Sequence, residues 1–190
     1  MAELVQAGKV RVIGVSNQSV AQMKRLQEFH PVASLQPPYS MLNREIEDDH
    51  LPYCGEHGIG VVCYSPMVKG LLAGGFTKER AEELSEKDHR SRDPKFQAPQ
   101  LELNLAVVET IRPIAEESGR PMAQLPIAWV LGRPEVTSAI VGVRGPSQIE
   151  QPAGAGSWVL SDNEMTTIGV ALQTREAKLA DLGEVSQGRV

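Results

Sequence analysis

The 190-residue sequence has few aromatic residues, two cysteines and no excess of positive charge. Aromatic residues make up 4% of the chain, which argues against a surface that stacks nucleic-acid bases. The formal net charge of -5 gives no basic face for a phosphate backbone. No apolar run approaches the length of a membrane span, and the N-terminus lacks the apolar core of a signal peptide. We therefore expect a protein that binds neither nucleic acid nor membrane.

Cysteine and histidine are too sparsely placed to indicate a disulfide framework or a metal site. Cys54 and Cys63 belong to no paired motif, which fits a reduced, cytoplasmic setting. His50 stands in an acidic stretch of the sequence, but no ligand-like repeat supports zinc. A solvated helix face explains this stretch better than a metal does. We therefore predict no metal site.

Four short apolar runs, separated by helical patterns, predict the architecture. They cover residues 10–15, 33–36, 59–64 and 138–142. Runs rich in Val and Ile and bounded by Gly or polar residues are typical of buried parallel strands, and their alternation with helices indicates parallel βα units. We therefore predict an α/β fold with about four βα units of TIM-barrel type, a half barrel, because a closed barrel of eight units takes roughly 250 residues.

The chain is treated as a single domain, residues 1–190, with a charged insertion at residues 76–99. The insertion is either a solvated loop or a lid beside a ligand. Capping boxes at Ser19–Gln22 and Ser161–Glu164 predict two helix starts. Pro126 is expected to bend or delay a helix that begins near Pro121.

Polar residues and glycines follow the predicted strands, at the ends where α/β folds bind their ligands. They are Ser16, Asn17, Gln36, Tyr64, Ser65, Gly142 and Arg144. Hydroxyl and amide groups suit a carboxamide, and the Tyr64 ring offers a face for a planar heterocycle. Glycine amides can approach a pyrophosphate, and Arg144 can bind a phosphate. Together they indicate a nicotinamide dinucleotide site, although each residue alone also fits a helix cap, a loop contact or a surface charge.

The order GVSN, LQPPYSMLNRE, VVCYSPMVKGLLAG and AIVGVRGPSQIEQ resembles the aldo-keto reductase superfamily, from about Lys9 to Leu179. The resemblance is to the C-terminal half of its (β/α)8 barrel, strands five to eight. It implies that the carboxamide is held by Ser16, Asn17 and Gln36, while Tyr64 stacks on the nicotinamide. It further implies that Ser65, Met67 and Gly70 lie along the pyrophosphate, Arg144 and Gln148 face the adenosine phosphate, and Gln151 faces the adenine. One departure is Pro152, where the family usually has asparagine.

The implied activity is NADP(H)-dependent hydride transfer between the nicotinamide and an aldehyde or ketone. The family's catalytic Asp, Tyr, Lys and His lie in the first half of the barrel, before the resemblance begins, so no catalytic residue is assigned. The chain is interpreted as a truncated or split reductase, inactive alone, whose strand edges are covered by self-association or by a separate N-terminal half. The alternatives are a non-catalytic nucleotide-binding remnant or regulatory subunit, and an unrelated α/β domain.

Overall fold

A computed structural model describes residues 1–143 and 145–187, and this part of the chain divides into two units. The first unit comprises residues 1–66 and 130–142. The second comprises residues 67–129 and the described residues from 143 onward. No helix in the described part of the chain is both long enough and apolar enough to cross a membrane.

The first unit is built on a four-stranded sheet. Its strands are β1 (Gly14–Ser16), β2 (Ser34–Gln36), β3 (Gly60–Tyr64) and β4 (Val136–Ile140). They lie in the order β1-β2-β3-β4, and every neighbouring pair is parallel. The prediction of an α/β fold with four parallel strands is confirmed. Within the described residues the sheet is open, with β1 and β4 as its two outer strands.

The outer strands differ most from their predicted limits. Before β1, the Val10 amide donates to the Leu4 carbonyl at the end of the first helix, so the ladder starts only where Gly14 pairs with Ser34. At the other edge, β4 starts two residues earlier than predicted because Val136 already pairs with Val61. The register then shifts, a local bulge of the kind common at sheet edges.

The first unit also contains three α-helices, α1 (Ala2–Gln6), α2 (Val20–Gln27) and α3 (His50–His57), and a 3-10 turn, Glu45–Glu47. The predicted capping box at the start of α2 is present, with the Ser19 and Gln22 side chains each bonding the other's backbone amide. Helix α3 ends at Gly58, whose φ of 64° is the left-handed conformation that glycine adopts without a steric penalty.

The second unit is helical. It contains α4 (Lys78–Glu82), α5 (Gln100–Glu117), α7 (Pro146–Ala153) and α8 (Asp162–Gln187), and the chain passes between the units within α6 (Gln124–Leu131). Helices α5 and α8 pack against each other. The predicted insertion, residues 76–99, carries α4 and two short 3-10 turns, His89–Arg92 and Pro94–Phe96.

One proline prediction concerns a helix of this region. Helix α6 starts at Gln124, three residues after Pro121, and Pro126 lies in its first turn. The delay is as predicted, and a first-turn proline removes no amide that would have an intrahelical partner. Pro152, the departure from the family pattern, is the last but one residue of α7.

Candidate functional site

Four predicted residues come together at the carboxyl ends of the first three strands. The Ser16 hydroxyl donates to the Gln36 carbonyl oxygen at 2.9 Å, and the Asn17 amide approaches the same oxygen at 3.3 Å. The Tyr64 hydroxyl donates to Asn17 Oδ1 at 3.1 Å. These bonds fix the tilt of the Tyr64 ring and leave the Asn17 side-chain amino group as a donor to a ligand carbonyl.

Sharp turns follow the strands at this carboxyl end of the sheet. Asn17 has φ 55° and Ser65 has φ 58°, both left-handed. Asparagine enters this region readily, whereas serine does so at a greater cost. Each turn carries the chain off the strand immediately after its last paired residues, so the exposed Ser65 projects at the strand end. Unusual backbone conformations of this kind concentrate at ligand sites.

His50 supports the first of these turns from α3. Its Nε2 lies 3.2 Å from the Gln18 carbonyl oxygen, and its Nδ1 contacts the Asp49 carboxylate. The Gln18 side chain in turn donates to the Ser16 carbonyl oxygen at 3.3 Å. Sequence reasoning placed His50 on a solvated face, and no local motif signals a contact between residues 32 positions apart.

A buried tyrosine lies next to the strand ends, and its hydroxyl is bonded to a carboxylate. Tyr39 is fully buried; its hydroxyl donates to Glu47 Oε1 at 2.7 Å, and its amide donates to the Tyr64 carbonyl oxygen at 3.1 Å. Burial and the Glu47 carboxylate raise the Tyr39 pKa well above its ordinary value. Burial also raises the pKa of Glu47, but hydrogen bonds from Arg44 and Tyr39 outweigh it and bring that pKa below its ordinary value. The network therefore holds Tyr39 protonated and fixes the chain beyond β2.

The buried Cys63 is also chemically quiet. Its side chain is fully buried, and burial raises the pKa of its thiol to about 11. A thiol that stays protonated is a poor nucleophile, as expected for a residue of the core.

In the second unit, the predicted pyrophosphate residues Met67 and Gly70 bracket an unusual turn. The Gly70 amide donates to the Met67 carbonyl oxygen at 3.1 Å. Val68, Lys69 and Gly70 have φ values of 49°, 54° and 94°. For a β-branched residue such as Val68 this conformation is an outlier, and it is held by a buried Val68 side chain.

Lys69 places a positive charge on this turn, which sequence reasoning did not single out. Its Nζ lies 2.8 Å from Asp93 Oδ2, in the segment predicted as an insertion. Burial raises the pKa of Asp93, but its bonds from Lys69 and from the Lys95 amide outweigh burial and lower that pKa. The turn and the insertion are therefore linked within the second unit.

Two of the predicted adenosine residues, Gln148 and Gln151, belong to α7. Gln148 and Gln151 have exposed side chains three residues apart, so they lie on one face of the helix. The Gln151 carbonyl oxygen accepts from Gln124 Nε2 at 2.7 Å, which anchors the end of α7. Gly142 follows β4 in the first unit and is exposed, while Arg144 lies outside the described residues.

Comparisons with known proteins cover most of the chain. The Aldo/keto reductase family model matches residues 1–172. The chain is 35% identical over 174 residues to aldo-keto reductase YhdN of Bacillus subtilis, covering 91% of this chain and 52% of the relative. It is 33% identical over 190 residues to a probable aldo-keto reductase of Glycine max, covering 100% and 51%. A glycerol dehydrogenase structure from Gluconobacter oxydans matches with a TM-score of 0.85 and 36% identity, covering 91% and 52%. The chain thus spans about half the length of the curated relatives it matches.

Proposed function

This chain belongs to the aldo/keto reductase family, and on that premise we propose that it is the C-terminal half of an NADP-dependent oxidoreductase. The reaction is hydride transfer between a nicotinamide and an aldehyde or ketone. The observation that carries the proposal is the strand-end cluster, where Tyr64 bonds Asn17 and Ser16 bonds the backbone of Gln36. These residues lie where parallel α/β sheets bind ligands.

The cluster fits a nicotinamide in its chemistry. Its groups are neutral hydroxyls and amides, which match the donor and acceptor of a carboxamide, beside an aromatic ring that can stack. In the proposal Ser16, Asn17 and Gln36 hold the carboxamide, and Tyr64 supports the ring. When bound, the cofactor supplies the hydride. The protein's contribution here is orientation of the ring.

The remaining cofactor residues follow from the family resemblance. Ser65, Met67 and Gly70, with Gly142, are proposed along the pyrophosphate. Gln148, Gln151 and Arg144 are proposed on the adenosine side, with Arg144 at the 2′-phosphate that distinguishes NADP. The left-handed turn from Val68 to Gly70 and the shared face of Gln148 and Gln151 support this assignment.

The hydroxyls of the chain's three tyrosines are all engaged as hydrogen-bond donors within the chain. The hydroxyls of Tyr39, Tyr53 and Tyr64 donate to Glu47, Gln27 and Asn17. A carbonyl reduction needs a positioned acid. We therefore propose that the family's catalytic Asp, Tyr, Lys and His come from a polypeptide outside these 190 residues, and that the chain works in the cytoplasm, where Cys54 and Cys63 stay free.

The test measures NADPH binding and NADPH oxidation separately. We expect fluorescence titration to show NADPH binding to the chain alone, and Arg144→Ala to weaken it by about 1.5–3 kcal/mol while leaving NADH binding unchanged. Turnover of an aromatic aldehyde is expected only after adding a polypeptide with the rest of the family barrel. Absence of NADPH binding even in that complex contradicts the proposal. Turnover by the 190-residue chain alone contradicts the assignment of the acid to another polypeptide.

A further inference from the structure

The C-terminal end of helix α7 is held by side chains from outside the helix. The last carbonyl groups of a helix have no partner within it. The Gln151 carbonyl oxygen accepts from Gln124 Nε2 at 2.7 Å. The carbonyl oxygen of Gly154, the residue after the helix, accepts from Arg120 Nη1 at 3.1 Å and from the Ser157 hydroxyl at 3.0 Å. All five residues belong to the second unit.

Arg120 also fixes the orientation of the Gln124 amide. Its Nη1 donates to Gln124 Oε1 at 3.3 Å, and its guanidinium carbon lies 5.3 Å from the centre of the buried Trp158 ring. Arginine only donates and a carbonyl oxygen only accepts, so the amide oxygen faces Arg120 and the amide nitrogen faces Gln151. The arginine charge also lies at the end of α7 where the helix dipole favours a cation. We call Arg120 and Gln124 together the α7 anchor.

Gly154 leaves the space in which the Gln124 amide lies. A Cβ atom added to Gly154 would lie 2.6 Å from Gln124 Nε2 and 3.1 Å from both its Oε1 and its Cδ, and these are the nearest atoms. The φ of Gly154 is -63°, so the backbone itself does not require glycine here. Since Gln124 is buried, a side chain at position 154 would force its amide away from Gln151. By contrast, a Cβ atom added to Gly156 would meet nothing within 4 Å.

The helix held in this way carries the two glutamines of the proposed adenosine side. Gln148 and Gln151 lie on one exposed face of α7. The carbonyl group that Gln124 binds belongs to Gln151 itself, so a shift of this carbonyl also moves the Gln151 side chain. When only a fraction of molecules has the binding conformation, the apparent affinity falls by that fraction. The α7 anchor therefore bears on ligand affinity as well as on stability.

We propose that Gln124 and Arg120 are positioning residues for the adenosine phosphate end of a nicotinamide dinucleotide. The inference rests on the proposed function, which assigns Gln148 and Gln151 to that end of the cofactor. Gln124 acts through the Gln151 carbonyl group, and Arg120 acts through the Gly154 carbonyl group and the Gln124 amide. The strand-end cluster proposed for the nicotinamide includes neither residue.

The experiment measures two ligands separately on the full 190-residue chain. Adenosine 2′,5′-bisphosphate, followed by displacement of NADPH fluorescence, reports on the adenosine end. Reduced nicotinamide mononucleotide, followed by its own fluorescence, reports on the nicotinamide end. Gln124→Ala should weaken binding of the bisphosphate about fivefold to tenfold and leave binding of the mononucleotide unchanged.

Gly154→Ala is the second variant, and it keeps Gln124 in the chain. It should weaken the bisphosphate to a similar extent, because the added methyl group displaces the Gln124 amide. Gly156→Ala is the matched control and should bind as wild type does. In the double variant Gln124→Ala, Gly154→Ala the methyl group meets no glutamine, so binding should be no weaker than in Gln124→Ala alone.

Hydrogen exchange without ligand tests the anchor directly. Exchange over residues 146–157 should be faster in Gln124→Ala and in Gly154→Ala than in wild type and Gly156→Ala. Urea denaturation verifies that each variant folds.

Equal weakening of both ligands would show a general loss of structure and overturn the proposal. Unchanged bisphosphate binding in Gln124→Ala, or additive losses in the double variant, would also overturn it. A wild-type chain that binds neither ligand contradicts the proposed function and this inference with it. A wild-type chain that binds both, with affinities that Gln124→Ala and Gly154→Ala leave unchanged, contradicts this inference alone.

Discussion

Two groups of polar side chains, one in each unit, are held by different forces. The strand-end cluster of the first unit uses neutral groups at an exposed edge, such as the bond from the Tyr64 hydroxyl to Asn17. The second unit uses charged groups, including a buried arginine: Arg175 Nε donates to Asn104 Oδ1 at 2.6 Å. A neutral exposed cluster contributes little to folding and is available to a ligand, whereas buried charged contacts fix a segment in place. Removing a contact from the exposed cluster should therefore change ligand binding more than stability. Removing a buried charged contact should change stability more than ligand binding.

The largest effect is expected at Asn104. Its side chain is fully buried, accepts from Arg175 and donates to the Lys95 carbonyl oxygen at 2.9 Å. Asn104→Ala removes the partner of a buried guanidinium and of a carbonyl together, and should cost about 3–5 kcal/mol of unfolding free energy. Urea denaturation measures the loss. Asn163→Ala, at an exposed asparagine of α8, should stay within about 0.5 kcal/mol, and similar losses for both would contradict the assigned role of Asn104.

Tyr39→Phe tests whether the loss of stability depends on the burial of a contact or on the unit in which the contact lies. Tyr39 belongs to the first unit, but its hydroxyl is bonded to a carboxylate, so its removal should cost about 1.5–3 kcal/mol. Glu47 has a lowered pKa in the folded protein, so its contribution is present above its ordinary value of 4.5 and is lost as the pH falls through the folded value.

The measurement is the unfolding free energy of wild type and Tyr39→Phe across the acid range. Because the Tyr39 bond helps to lower the Glu47 pKa, the difference between the two proteins should shrink as Glu47 becomes protonated. A difference that stays constant down to full protonation would show that the lost bond is not to the ionised carboxylate.

The sequence predicts the part of the site that regular strands determine. Ser16, Gln36 and Tyr64 each end a run of apolar residues, and parallel strands bring such ends to one edge. The capping boxes at Ser19 and Ser161 were predictable because their partners are three residues away, and both are present. The local pattern also predicted that Pro126 would delay its helix.

Contacts between distant residues were not predictable. His50 reaches the Gln18 carbonyl and Lys69 reaches Asp93 across loops whose path no periodic pattern specifies. The helix over residues 146–153 contains Pro152, and its first residue, Pro146, is a proline favoured at that position. Strand limits failed at the sheet edges, where pairing on one side only leaves the ends to local contacts.

Tyr64→Phe probes the neutral cluster and should have a smaller effect on folding than Tyr39→Phe. The change removes one hydrogen bond, to Asn17, at an exposed edge and should cost about 0.5–1.5 kcal/mol. NADPH binding should weaken, because the ring loses the bond that sets its tilt. Urea denaturation and fluorescence titration separate the two effects. A stability loss as large as that of Tyr39→Phe would contradict the distinction between the exposed cluster and the buried contacts.

The smallest effect is expected for the ion pair between Lys69 and Asp93. The Lys69 side chain is 35% exposed, so solvent screens the pair, and its coupling should be about 0.2–1 kcal/mol. Asp93→Ala alone should cost more than Lys69→Ala, because Asp93 also accepts the Lys95 amide at 3.1 Å and caps the turn from Pro94 to Phe96.

A double-mutant cycle removes that difference and isolates the interaction energy of the pair. The coupling should fall as salt is added and as the pH drops through the lowered pKa of Asp93. If the coupling is well above this range and does not change with salt, the pair behaves like the buried contacts of the second unit. That result would contradict the distinction between exposed and buried groups within this unit.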